Sequence, residues 1–144
     1  MILTAQEENY ARPAVALGLL NDEHSEIYRS FAALDEAIAR GRGFSSIMVA
    51  AEDLTQIMLL HFIHEVQFLE KISAAVLKEH RKAEMQVLNG IGRLDSGLRR
   101  CELSAALRLR SLCKEWIQGH MYSESDNCGI HLVENEREPG RLQA

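Results

Sequence analysis

The sequence predicts an all-α protein that folds as an antiparallel four-helix bundle with up-down-up-down topology. Three observations support this prediction. Helix-forming residues dominate and only two prolines occur among 144 residues, so helix propensity is favourable along most of the chain. Hydrophobic residues make up 47% of the sequence, which is enough for one core. Apolar positions recur at steps of three and four in four stretches, and the short connections between them favour antiparallel neighbours.

The first predicted helix runs from after Pro13 to about Arg40. Its apolar stripe includes a histidine, His24. Two glycines, Gly41 and Gly43, are expected to end it, because glycine is the usual residue just beyond a helix C-terminus.

The second predicted helix begins at a serine N-cap, either Ser45 or Ser46, and runs to about Lys71. The third spans roughly residues 74–88. We expect residues 90–100 to form a loop or a short irregular insertion, because they include three glycines and show no clear period.

The fourth helix is predicted from about Glu102 to Ser125. Residues 1–126 would then form one bundle domain, and residues 127–144 a polar C-terminal tail. The tail contains His131 close to Cys128, a spacing that is a weak signal for metal binding.

Bulk properties narrow the possible functions. The net charge of -5 disfavours a nucleic-acid partner, which would need a clustered positive surface. No apolar run approaches the roughly 20 residues needed to cross a bilayer, so we expect no membrane partner. Three cysteines without a CxxC pair suit a reducing compartment, and we expect a cytoplasmic protein.

The residues with the strongest chemical signal are histidines followed four positions later by glutamate. There are three such pairs, which is more than the composition would give by chance: His61 and Glu65, His80 and Glu84, and His120 and Glu124. Residues four apart lie one turn above each other on the same helix face. Each pair therefore presents an imidazole and a carboxylate towards the same point.

The placement of these pairs predicts a metal centre. Each falls in the apolar stripe of a different helix, and His24 falls in the stripe of the remaining one. A single histidine on an apolar face is more often a core or boundary residue, but burying so many ionisable groups together is costly without a partner. Iron accepts neutral imidazole and ionised carboxylate together, and carboxylates bridge metal pairs, so we predict two metal ions. His64, at the edge of the stripe, is expected to support a ligand or to lie at the surface.

These motifs resemble the hemerythrin family, the non-haem di-iron four-helix bundles, over about residues 15–126. The segment HFIHE is similar to the family's His-Phe-x-x-Glu motif, which implies a ligand role for His61 and a bridging role for Glu65. The resemblance also implies that His24 is the isolated ligand of the first helix. His80 matches the first histidine of the family's His-x3-His motif, and Glu84 stands at the second.

The fourth helix resembles the family only in part. Trp116 and His120 fit a Trp-x3-His motif, but Ser125 stands where the family has an aspartate. In a regular α-helix Glu124 shares the face of His120, whereas Asp126 would reach the metals only if a π-bulge followed His120. We favour Glu124 as the ligand.

The resemblance implies a protein with two Fe ions, bridged by an oxo or hydroxo group, that binds or senses O2, NO or peroxide. His80, Glu84 and His120 would bind one iron and His24 and His61 the other, with Glu65 and the fourth-helix carboxylate as bridges. A glutamate at position 84 adds negative charge, which favours the ferric state and works against reversible O2 binding.

Two other functions stay open. A carboxylate-rich di-iron site also suits a redox enzyme with peroxidase, oxidase, ferroxidase or iron-sulfur cluster repair activity. Alternatively, the chain is a metal-free interaction bundle in which the pairs form ion pairs or a polar network.

Overall fold

The computed structural model describes residues 13–121, and it describes the side chains of residues 18–119. These residues form four α-helices and no strand, so the all-α prediction is confirmed. The helices are α1 (Pro13–Ala39), α2 (Phe44–Ile72), α3 (Ala74–Arg99) and α4 (Leu103–Trp116), and α4 continues into a π-helix, Ile117–Met121. Contacts join α1 to α2, α2 to α3, α3 to α4 and α4 to α1. The described chain is therefore a helical bundle.

The first helix ends where the sequence predicts. Gly41 has a φ of 62°, a left-handed conformation that favours glycine because it has no Cβ. The amide of Gly41 donates to the carbonyl of Ile38 at 3.1 Å. This turn ends α1 and allows α2 to follow after a short connection.

The serine N-cap predicted for the second helix is wrong. The helix begins at Phe44, its N-cap residue is Gly43, and no side chain caps it, so Ser45 and Ser46 lie inside the first turn. A serine does cap the next helix: Ser73 is extended and its hydroxyl accepts from the amide of Val76 at 3.3 Å. Ser73 alone separates α2 from α3.

The loop predicted over residues 90–100 is also wrong, because α3 continues to Arg99. Its later part carries an apolar stripe that packs into the core at steps of four, three and four: Val87, Ile91, Leu94 and Leu98. The three glycines do not break the helix, and one of them, Gly97, permits close packing. A Cβ at Gly97 would lie 2.9 Å from the Cβ of Ala105, so only glycine lets α3 approach α4 this closely.

The buried apolar residues form two clusters. The small apolar cluster consists of Leu20, Phe68, Leu69 and Ile72. The large apolar cluster consists of Ile27, Leu34, Ala37, Ile47, Ala51, Leu54, Met58, Phe62, Val87, Leu98, Ala105, Ala106, Leu109, Cys113, Trp116 and Ile117. Along α1, His24 lies between Leu20 of the small cluster and Ile27 of the large one. His24 therefore lies at the boundary between the two apolar clusters.

The second helix has a property that the sequence pattern did not predict. Among residues 13–121, α2 is long and apolar enough, by length and composition, to cross a membrane. This is weak evidence for a membrane, because core helices of soluble proteins meet the same criteria.

The predictions for residues 122–144 lie outside the described residues. They include the end of the fourth helix, the domain boundary at residue 126, the polar tail, and the roles of Glu124, Asp126 and His131.

Candidate metal centre

Five of the predicted ligands come together inside the bundle. Their side chains are all buried, and we refer to them as the His/Glu layer: His24 on α1, His61 and Glu65 on α2, and His80 and Glu84 on α3. They form two groups that share Glu65. In each group the potential ligand atoms lie within 4.8 Å of one another: His24, His61 and Glu65 in one, and Glu65, His80 and Glu84 in the other. Either group could hold a metal ion.

Glu65 is the centre of the layer. One carboxylate oxygen, Oε2, lies 2.8 Å from Nε2 of His61, and the other, Oε1, is hydrogen bonded to Nδ1 of His80. Burial by itself raises the pKa of Glu65, but the hydrogen bonds from the two histidines outweigh it and lower the pKa below its usual value. Glu65 is therefore a buried carboxylate held in its ionised form.

His24 and His61 differ in protonation although their Nε2 atoms lie only 3.1 Å apart. Burial and the charge of His61 lower the pKa of His24 to about 4, so its imidazole is neutral at pH 7. Burial also lowers the pKa of His61, but hydrogen bonds to Glu23 and Glu65 raise it to about 9. His61 is thus a cation between two carboxylates, and a metal cation at Nε2 would replace its proton.

Glu84 is the least satisfied member of the layer. Its Oε1 atom is buried and has no hydrogen-bond partner within the part of the chain that the structure describes. Burial, followed by the negative charge of Glu65, raises the pKa of Glu84. A buried oxygen without a donor is costly, and a cation beside Glu84 would remove that cost.

The structure adds Glu23, which the sequence reasoning missed. From α1, its Oε1 accepts from Nδ1 of His61 at 3.0 Å and its Oε2 accepts from Nδ1 of His64 at 2.5 Å. Glu23 follows Leu20 by three residues and precedes Ile27 by four, so it shares their helix face. This spacing is the sequence feature that could have predicted an inward-facing Glu23.

His64 is buried rather than at the surface. Its Nδ1 donates to the same Glu23 carboxylate that accepts from His61, and its role in supporting a metal ligand stays a prediction.

The fourth helix places the aromatic side chain of Trp116 beside Phe62 and His61 of α2. The indole of Trp116 lies edge-on to Phe62 and to His61, with ring centroids 5.1 and 6.5 Å apart, respectively. Its Nε1 is buried and unpaired among the described residues. The rings of Phe62 and Trp116 both belong to the large apolar cluster and bring it next to His61.

The assumption of a regular α-helix around His120 is wrong. Residues Ile117–Met121 form a π-helix, a rare distortion that is enriched at functional sites. The side chains of His120, Glu124 and Asp126 lie outside the described residues. The angular preference for Glu124 over Asp126 therefore loses its basis, and the choice stays a prediction.

Comparisons with protein-family models, with curated proteins and with solved structures found no match for this chain. A proposal for the function therefore rests on the residues of the His/Glu layer and their geometry.

Proposed function

We propose that this chain is a hemerythrin-like protein that holds two iron ions in the His/Glu layer and binds or senses O2 or another small ligand, NO or peroxide. The observation that carries the proposal is that Glu65 belongs to both groups of potential ligands. A carboxylate has two oxygens and can bind two metal ions at once, as bridging glutamates do in di-iron bundles.

The described ligands divide between the two metal positions. In this proposal His24 and His61 bind one iron, and His80 and Glu84 bind the other. Glu65 bridges the two positions. His120, together with Glu124 or Asp126, is proposed to complete the set. Imidazole and carboxylate are ligands that iron accepts together.

The donor set fits a cation better than it fits a closed hydrogen-bond network. Glu65 is satisfied by His61 and His80, but Oε1 of Glu84 has no partner among the described residues. A network of side chains that leaves a buried carboxylate oxygen unpaired is less stable than an apolar core. A bound metal ion would displace the proton of Glu84, satisfy its buried oxygen, and balance the negative charge of both carboxylates.

The surroundings suit a site closed to bulk water. Leu20 of the small apolar cluster lies one helical turn from His24. The rings of Phe62 and Trp116 lie 6.2 and 6.5 Å from the ring of His61. Iron bound between them would supply a redox centre with a coordination position for a small ligand. The protein residues would hold the metals, orient the imidazoles and exclude water.

The antiparallel up-down-up-down order is part of this proposal. Leu20, early in α1, shares the small apolar cluster with Phe68, late in α2. Leu34, late in α1, shares the large apolar cluster with Ile47, early in α2. Contacts that run in opposite directions along two helices support antiparallel packing of this pair.

A di-iron redox enzyme is the second candidate. Glu84 favours it, because a second carboxylate in place of a histidine favours the ferric state over reversible O2 binding. Peroxide consumption or Fe(II) oxidation with many turnovers per protein would identify the enzyme, whereas a stable optical change on adding O2 or NO would identify the binding protein.

Metal content tests the proposal directly. Protein expressed in iron-replete medium should contain close to two iron ions per chain by elemental analysis, and its optical spectrum should change with oxidation state. Glu65→Gln, which removes the shared carboxylate, should lose most of this metal, whereas Glu70→Gln on the exposed face of the same helix should not. A content near one metal per chain, or zinc alone, would contradict the proposal, and no metal would support the interaction bundle.

A further inference from the structure

We infer that Glu23 is a positioning residue that fixes the imidazole of His61 for metal binding, together with His64. This inference rests on the proposed metal site. Glu23 was not among the predicted ligands, and the structure places it behind His61, on the side of the ring away from Glu65.

The two ring nitrogens of His61 point to different partners. Nδ1 donates to Oε1 of Glu23 at 3.0 Å. Nε2 lies 2.8 Å from Oε2 of Glu65 and 3.1 Å from Nε2 of His24, within the His/Glu layer. A histidine can bind a metal only through a nitrogen without a proton. Because Glu23 holds a proton on Nδ1, Nε2 is the nitrogen available to the metal.

The orientation of Glu23 is fixed by a second histidine. Oε2 of Glu23 accepts from Nδ1 of His64 at 2.5 Å. His64 follows His61 by three residues, so both imidazoles lie on the same side of α2 and face α1. Each oxygen of Glu23 is thus held by a different ring.

Glu23 also affects the electronics of His61. A carboxylate that accepts from the outer nitrogen of a metal-bound imidazole makes the ring a better electron donor and restrains its rotation. Loss of such a partner typically lowers metal affinity by about 10–100-fold. Because the side chain of Glu23 is only 14% exposed, water would replace it poorly.

The first test measures binding of Co(II), whose visible spectrum reports its coordination, in competition with a chelator. Glu23→Ala should weaken Co(II) binding by about 10–100-fold and change the spectrum. Glu26→Ala is the matched control, since Glu26 is an exposed glutamate on the same helix, and it should leave both unchanged. His64→Phe should have a smaller effect than Glu23→Ala, because Oε1 of Glu23 keeps its bond to His61.

The second test uses Zn(II)-loaded protein with 15N-labelled histidine and reads the ring nitrogens by NMR. The wild type should show His61 bound through Nε2, with a proton on Nδ1 in a strong hydrogen bond. In Glu23→Gln, which keeps the size of the side chain, this proton resonance should move upfield. A purely structural role would leave it in place. If Glu23→Ala lacks the helical circular dichroism of the wild type, Glu23→Gln decides the question.

The outcomes separate the two proposals. Wild-type protein that binds neither Co(II) nor Zn(II) would overturn the metal site and this inference together. Wild-type protein that binds metal, with Glu23 variants of equal affinity and an unchanged His61 spectrum, would overturn the inference and leave the metal site standing.

Discussion

The large apolar cluster and the His/Glu layer are neighbouring regions of one bundle that depend on their residues in different ways. Leu54 and His61 are both fully buried on α2. Leu54 contributes through the hydrophobic effect, which is non-directional and tolerates side chains of similar size. His61 contributes only while Glu23 accepts from its Nδ1 and either Glu65 or a metal ion satisfies its Nε2.

Because of this difference, buried residues in the two regions should contribute to stability under different conditions. The large apolar cluster should stabilise the fold regardless of what is bound. The His/Glu layer should stabilise it only when a cation satisfies the carboxylates, because Oε1 of Glu84 has no other partner among the described residues. Substitutions and metal removal can test whether the two regions behave independently.

Removal of bound metal should have the largest effect on stability. A ligand that binds only the folded state at about 1,000 times its Kd stabilises that state by about 4 kcal/mol per site. Treatment with a strong chelator should therefore lower the melting temperature markedly, as followed by circular dichroism. Glu65→Leu, which removes the shared ligand, should be insensitive to the chelator. An unchanged melting temperature in the wild type would mean that the layer needs no cation.

Truncation of Leu54 should lower the stability of the fold nearly as much as metal removal does, and the loss should be the same with and without metal. Leu54→Ala leaves a cavity in the large apolar cluster and should lower the free energy of unfolding by about 2–5 kcal/mol. Urea unfolding should give the same loss with and without metal, and metal content should match the wild type. A loss of metal in Leu54→Ala would show that the two regions are coupled.

Replacement of Glu84 should act in opposite directions with and without metal. In chelator-treated protein, Glu84→Leu should raise the free energy of unfolding by about 1–3 kcal/mol, because it removes a buried unpaired oxygen. In iron-loaded protein it should reduce metal content. Elemental analysis and urea unfolding of both forms measure the two effects. A destabilised chelator-treated variant would indicate that the hydrogen bond between Glu84 and Glu65 outweighs the cost of the unpaired oxygen.

The cost of Glu84 in chelator-treated protein should also depend on pH. Burial and Glu65 raise the pKa of Glu84 from 4.5 to about 8 in the folded state. Below pH 4.5 the group is protonated in both states, and as pH rises towards 8 only the unfolded state releases its proton, so folding becomes less favourable. The advantage of Glu84→Leu over the wild type should therefore grow from about pH 5 to about pH 8. A constant difference would contradict the raised pKa.

Substitutions at two glycines of α3 should change stability by no more than Glu84→Leu does, and in opposite directions. A Cβ at Gly97 would lie 2.9 Å from Ala105 and 3.0 Å from Oε2 of Glu102, whereas a Cβ at Gly92 would meet nothing within 4 Å. Gly97→Ala should destabilise the protein by roughly 1–3 kcal/mol through overpacking. Gly92→Ala should stabilise it by about 0.5–1 kcal/mol, because alanine loses less backbone freedom. Urea unfolding measures both, and a stabilised Gly97→Ala would rule out the close approach of α3 and α4.

The errors at helix boundaries came from local signals that tertiary contacts overrode. Ser45 and Ser46 are good N-cap residues, yet the helix begins earlier, at Phe44. The glycines of α3 are helix breakers in isolation, yet the helix continues through all three, and Gly90 and Gly97 lie against α4. Local propensity is a small free energy for each residue, and burial of an apolar stripe exceeds it.

The four helices and five of the buried polar side chains could be predicted from the sequence alone. Both follow from the period of the α-helix: residues three and four apart share a face, and a face with apolar residues and His-x3-Glu pairs has to be buried. Helical spacing alone is therefore sufficient to select His24, His61, Glu65, His80 and Glu84 as inward-facing residues.

How these residues meet depends on the packing of the helices against one another. That Glu65 lies between His61 and His80, that Glu23 lies behind His61, and that Glu84 keeps an unpaired oxygen all depend on distances between atoms of different helices. Helical periodicity specifies the face of a residue but not the rotation and offset of one helix against another. Those are set by the packing of all the side chains at once, which no single helix encodes.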